Sequence, residues 1–142
     1  KYSNSIILPY SARQLYDIVI DVETYPEFLP WCLSSRIVKK TNDDNFDAEL
    51  TVGYKAIDEK YISRIQAEYE KKIISKAISG PFKFLDSSWS FNNIDKKQCR
   101  VDFMIEYQFK SFFLDKVMGS LFKKATIKML DAFEQRARSL HD

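Results

Sequence analysis

The stretch from Lys110 to His141 constrains this chain most. Phe113, Val117, Met118, Leu121, Phe122, Ala125, Met129, Ala132 and Phe133 recur in steps of three and four. That spacing puts them on one side of a 3.6-residue period, with Lys116, Lys123, Lys124, Lys128, Asp131, Glu134 and Gln135 largely on the other. A helix of this length with so broad an apolar face is not stable alone in water. The residues before it must build a surface that covers it.

From Ser34 to Phe109 the period drops to two, as expected of strands joined by short turns. Phe46, Ala48, Leu50 and Val52 alternate with Asp47, Glu49 and Thr51. Ile57, Tyr61, Ile65 and Ala67 oppose Asp58, Lys60, Arg64, Gln66 and Glu68, and Glu59 falls in phase with Tyr61, on the inner face. Lys72 to Ser79 reads as a strand whose facing stays open, because Ile73, Ile74 and Ile78 lie on both sides; Gly80-Pro81 ends it. Leu85, Trp89 and Phe91 alternate with Asp86, Ser88 and Ser90, a turn spans Asn92 to Lys97, and Val101, Phe103, Ile105, Tyr107 and Phe109 share one face of the last strand. The connections hold no crossover helix, so the strands of this stretch, about six in all, are expected to form an antiparallel meander.

The N-terminal region reads as a strand, Tyr2 to Leu8, closed by Pro9. Ser11 and Gln14 form a capping box that opens a short helix, and Thr24 with Glu27 repeats the signal across Pro26, predicting a second short helix that ends at Pro30. The fold class expected is therefore α+β: one curved antiparallel sheet around a long C-terminal helix, with two short helices after the first strand. At 142 residues, 1–142 is expected to be a single domain.

Composition narrows the function. Aromatics reach 15%, with 11 Phe and 8 Tyr against 3 Gly, which suits a large apolar interior. The net charge is +2, and residues 110 to 142 hold seven Lys/Arg against four Asp/Glu; this is too small an excess for a dedicated nucleic-acid binder, so no DNA partner is expected. Cys32 and Cys99 lie outside any metal spacing and are expected to be two buried thiols. The sole His, His141, reads as a frayed-end residue. No catalytic residue, metal or cofactor is expected from this inventory. No run of 18 apolar residues and no signal-peptide pattern occurs, so a soluble, intracellular protein is expected, cytoplasmic or peripheral to the inner membrane, on the mitochondrial matrix side if eukaryotic.

The run Val22-Glu23-Thr24-Tyr25-Pro26-Glu27-Phe28-Leu29-Pro30-Trp31-Cys32 resembles the signature of the coenzyme Q-binding START-like family of the polyketide cyclase-like superfamily. Leu50-Thr51-Val52-Gly53, Ser63-Arg64-Ile65, Gly80 to Leu85, Trp89-Ser90-Phe91 and Met129 to Ala137 match in order, so the resemblance covers nearly the whole chain. It implies a helix-grip fold with a tunnel between sheet and helix, and a hydrophobic ligand, ubiquinone first, bound as cargo and collected by transient membrane contact. The family includes a mitochondrial ubiquinone-binding protein and a bacterial inhibitor of ribosomal subunit association. Two alternatives follow: docking on the large ribosomal subunit through Lys123, Lys124 and Lys128, and a polyketide cyclase-like enzyme.

The ligand-binding residues so expected are Tyr25, Phe28, Leu29, Trp31, Tyr61, Trp89, Phe91, Phe103, Tyr107, Val117, Met118, Leu121 and Phe122. Tyr61, Ser63 and Tyr107 would orient a polar head by hydrogen bonds. Phe28, Leu29 and Trp31 would form a mobile, membrane-touching mouth. Glu59 would either turn to solvent at a strand end or bulge, or hydrogen-bond a ligand carbonyl.

Overall fold

The computed structural model describes residues 1–54 and 57–142, except for the side chains of Tyr54, Ile57 and Ser120; the facing expected for Ile57 therefore lies outside the described residues. Seven strands form one antiparallel sheet, in the order β1-β7-β6-β5-β4-β3-β2. They are β1 (Tyr2–Leu8), β2 (Cys32–Asn42), β3 (Asn45–Tyr54), β4 (Ile57–Glu68), β5 (Lys72–Ser79), β6 (Phe82–Asp95) and β7 (Gln98–Phe109). The meander is as the period of two predicts, and β1 adds to its far edge beside β7. Register shifts in β2, in β4 against β5 and at both ends of β6 bend the sheet over the long helix, as bulges do. This is a helix-grip α+β fold.

Helix α1 (Ala12–Ile20) starts at the predicted capping box: the Gln14 amide donates to the Ser11 hydroxyl at 3.2 Å and the Ser11 amide to the Gln14 side chain at 2.9 Å. Its Leu15, Tyr16, Ile18 and Val19 are buried. The second short helix differs from expectation. It is a 3-10 turn, α2 (Val22–Glu27), that follows Asp21, and Thr24 does not cap it; the Thr24 hydroxyl donates back to the Asp21 carbonyl at 2.7 Å. Pro26 inside the segment and the immediate approach of Pro30 leave no room for a full α-helical turn.

The long helix is α3 (Phe112–His141), capped by the Ser111 hydroxyl, which accepts from the Leu114 amide at 3.2 Å. Its C-terminal end is fixed rather than frayed, which corrects the expectation for His141: that ring lies 3.3 Å from the Gln14 side chain, and the Tyr10 hydroxyl donates to the Asp142 carboxylate at 2.8 Å. The facing of β5 is also settled. Ile73 and Ser75 point at α3 while Lys76 and Ile78 face solvent. Gly80 closes the β5–β6 turn with φ of 115°, and a Cβ there would stand 2.5 Å from that of Tyr61, so the turn requires glycine.

Candidate functional site

Between α3 and the inner face of β2 to β7 lies a cavity of about 500 Å³, within the usual range for small-molecule sites. Its floor is the alternate residues the strand period predicts: Leu50 and Val52 of β3, Tyr61, Ser63 and Ile65 of β4, Leu85 and Trp89 of β6, Phe103 and Ile105 of β7. Its roof is Leu114, Met118, Leu121, Phe122, Ala125 and Met129 of α3. Pro30, Lys124 and Lys128 line it while being solvent-exposed, and Trp31, Gly53 and Glu59 are half-buried beside them, which locates the mouth between α3 and the start of β2.

Nine of the thirteen expected residues meet in this cavity: Tyr25, Leu29, Trp31, Tyr61, Trp89, Phe103, Met118, Leu121 and Phe122. Glu59 does line it, so neither bulge nor strand end turns it away. The remaining four stand elsewhere. Phe28 packs on Phe133 at 5.2 Å and under the Arg136 guanidinium at 5.1 Å, while Arg136 also pairs with Glu27 at 3.3 Å. With Tyr25 stacked edge-on to Phe133 and its hydroxyl donated to the Val19 carbonyl, Tyr25 and Phe28 pack on α3, and of this segment Pro30 and Trp31 border the opening.

Phe91 is buried against Tyr16 and Trp89 and lines a separate cleft of about 180 Å³ on the β1 side of α3. Trp89, Phe103, Phe133 and Val19 border both spaces and so form the wall between them. The Tyr107 hydroxyl donates to the Gly119 carbonyl at 2.9 Å, tying β7 to α3 instead of facing a ligand. Val117 is 37% exposed, outside the cavity. Each four-residue step along a helix overshoots a full turn by roughly 40°, so the row Phe113, Val117, Leu121, Ala125 winds from the solvent side into the cavity. Phe113, expected on the covered face, is 68% exposed for that reason.

The polar groups of the cavity are few and mostly neutral. Burial pushes the Tyr25 and Tyr61 phenols up, and the Cys32 thiol up to about 11, so all three stay protonated around neutrality. Cys32 lines the cavity as a buried free thiol, and Cys99 is a second one away from it. The Tyr61 hydroxyl has no hydrogen-bond partner among the described residues. Ser75 and Ser87 were missed by sequence reasoning; they face each other across β5 and β6 with their hydroxyl oxygens 2.9 Å apart. Ser87 is in phase with Leu85 and Trp89, a signal that was available; Ser75 was hidden by the undecided facing of β5. Two hydroxyls sharing one hydrogen bond leave one proton free to donate to a ligand oxygen. Among the described residues no three His, Cys, Asp or Glu come together as a metal site would need. The arrangement suits a mostly apolar molecule with one hydrogen-bond-accepting end.

The model of the family described as polyketide cyclase / dehydrase and lipid transport matches residues 8–134. Two relatives in sequence are the ribosome association toxin RatA of Rickettsia prowazekii, 38% identical over 98% of this chain and 97% of its own, and the mitochondrial coenzyme Q-binding protein COQ10 of Dictyostelium discoideum, 38% identical over 94% of this chain and 67% of its own. Among solved structures, the 18 kDa protein CC1736 from Caulobacter crescentus is 33% identical, with a TM-score of 0.77 over 99% of this chain and 97% of that one.

Proposed function

The chain belongs to the polyketide cyclase / dehydrase and lipid transport family, and from that premise we propose that it is a ubiquinone-class carrier, taking a prenylated quinone into the cavity beneath α3. The observation that carries this reading is the pairing of a mostly apolar cavity of about 500 Å³ with the Ser75–Ser87 hydroxyl pair on its floor. A quinone presents that combination in reverse: carbonyl oxygens at one end and hydrocarbon along the rest. The relative named for binding coenzyme Q supports the choice of ligand.

Binding without conversion is part of the reading. Acid or base catalysis near neutral pH needs a group that changes protonation there, and burial drives Tyr25, Tyr61 and Cys32 away from that range. Mass spectrometry of an organic extract of the purified protein tests both parts. A prenylated quinone of unaltered mass is expected, and a converted product that vanishes in Glu59→Gln would restore the enzyme reading.

The head-group site makes a sharper expectation. Ser75→Ala combined with Ser87→Ala should weaken binding of a short-tailed quinone by about tenfold, one hydrogen bond's share, and leave the thermal melt within a few degrees. Fluorescence quenching of Trp31 and Trp89 on titration measures it. Unchanged affinity would move the quinone head to Tyr61 or Ser63.

A second reading is favoured by the relatives named as ribosome association toxins and by the exposed Lys123, Lys124 and Lys128. Docking through those lysines would be mainly electrostatic, so cosedimentation with large ribosomal subunits should fall steeply as salt rises. Absence of cosedimentation even at low salt retires it.

A further inference from the structure

The outward side of α3 is unusual for a solvated helix. Phe112 is 85% exposed, Phe113 68% and Ile127 48%, and the partly exposed Val117 adds to them. Between residues 110 and 128 the chain carries Lys110, Lys116, Lys123, Lys124 and Lys128 against one acid, Asp115. That acid is turned inward, where its carboxylate accepts from the Phe109 amide at 3.1 Å. A helix flank that shows large apolar side chains and five lysines to water, with no free acid among them, has the composition of an interfacial membrane helix.

The topology places the same flank at the cavity's entrance. The β5–β6 turn, the start of β2 and the start of α3 all gather at one end of the sheet, where the Lys110 amide donates to the Pro81 carbonyl at 2.8 Å. Lys124 and Lys128 border the mouth directly. Trp31 stands on its opposite lip.

We propose that the N-terminal half of α3 is a docking surface for an anionic lipid bilayer, with Phe112 and Phe113 entering the headgroup region and the lysines meeting lipid phosphates. This deepens the carrier reading and rests on it for its purpose, since docking there would set the mouth against the phase in which a prenylated quinone dissolves. It also replaces the segment from Phe28 to Trp31 as the membrane-touching element, because Leu29 is buried and Phe28 is held by Arg136. Charge complementarity singles out an anionic bilayer. The exposed Phe pair separates it from a purely electrostatic partner such as ribosomal RNA, for which lysines alone would suffice.

Flotation of the full chain with vesicles of phosphatidylcholine alone, and with phosphatidylglycerol added, tests the surface. Wild type should float with the anionic vesicles at least tenfold more than with the neutral ones, and Phe112→Ser combined with Phe113→Ser should remove at least nine-tenths of that binding. Both residues are solvent-exposed, so the variant should keep its melt and its extractable ligand. Equal flotation of variant and wild type overturns the proposal, as does binding to large ribosomal subunits with none to vesicles. A concentration-dependent dimer in sedimentation velocity that the double variant abolishes, without vesicle binding, gives the surface to a second copy and also overturns it. Vesicle binding with no quinone in the extract upholds the surface while removing the proposed cargo, so the two readings fail separately.

Discussion

Leu121→Asp is expected to weaken quinone binding by at least ~100-fold, while Val117→Asp, one turn earlier on the same helix, leaves it unchanged within about a factor of two. Leu121 lines the cavity; Val117 stands outside it. Without a ligand, water can reach a carboxylate at position 121 through the mouth, so the fold is expected to survive. An apolar ligand must strip that water and leave the charge unpaired, at a cost of several kcal/mol, of which about 2.7 already corresponds to 100-fold. The pair of variants separates the site from general damage to α3. Equal losses in both would mean that the ligand lies along the outer flank; equal affinity in both would take α3 out of the site. Circular dichroism melts, expected to differ by only a few degrees, complete the comparison.

Trp89→Ala is expected to lower stability by about 3–5 kcal/mol, the range for truncating a buried Trp, and the melting temperature by roughly 10–20 °C. Trp89 is only 8% exposed, and its ring lies 4.6 Å from Phe103 and 5.1 Å from Phe133 between centroids. The same truncation should change binding in an informative direction. Because Trp89 is part of the wall between the main cavity and the cleft under β1, its loss joins the two spaces. A short-tailed quinone should then bind more weakly and a bulkier apolar probe more tightly. A Trp89→Phe variant keeps a ring in the wall and should recover most of both losses. If Trp89→Ala costs less than about 1 kcal/mol, the ring is not the core element its neighbours indicate.

Much of the architecture was legible because it depends on local period. Alternation fixed which residues of β3, β4, β6 and β7 face α3, and the Ser11–Gln14 box fixed where α1 begins, through hydrogen bonds spanning only three residues. The same logic marked Tyr61, Trp89 and Phe103 as inward, and the YPEFLPWC stretch pointed to the START-like, polyketide cyclase-like family to which the chain belongs. Thr24 carried an equally good cap signal and failed, because Pro26 and the packing of Tyr25 and Phe28 onto Phe133 hold the segment in a 3-10 turn. Local propensity there is worth less than those aromatic contacts with the buried Phe133.

The sequence by itself determined that strands precede a helix they must cover, which side of most strands is wet, and that the interior is aromatic and poor in titratable groups. Those properties repeat every two or every few residues, so each is written within a short window. Tertiary structure alone decided which inward residues touch open space. A period of 3.6 puts Phe113, Val117 and Leu121 on one stripe, but the stripe winds, and the sheet covers only the part from Leu121 onward. Phe91 and Tyr107 face inward as their alternation says, yet one is closed off behind Trp89 and the other spends its hydroxyl on the Gly119 carbonyl. Ser75 and Ser87 are unremarkable twelve residues apart and become a hydroxyl pair in the cavity only when β5 and β6 bring their oxygens within 2.9 Å. Facing is a property of one strand; a cavity exists only where several elements leave a gap, and no single stretch of chain records that.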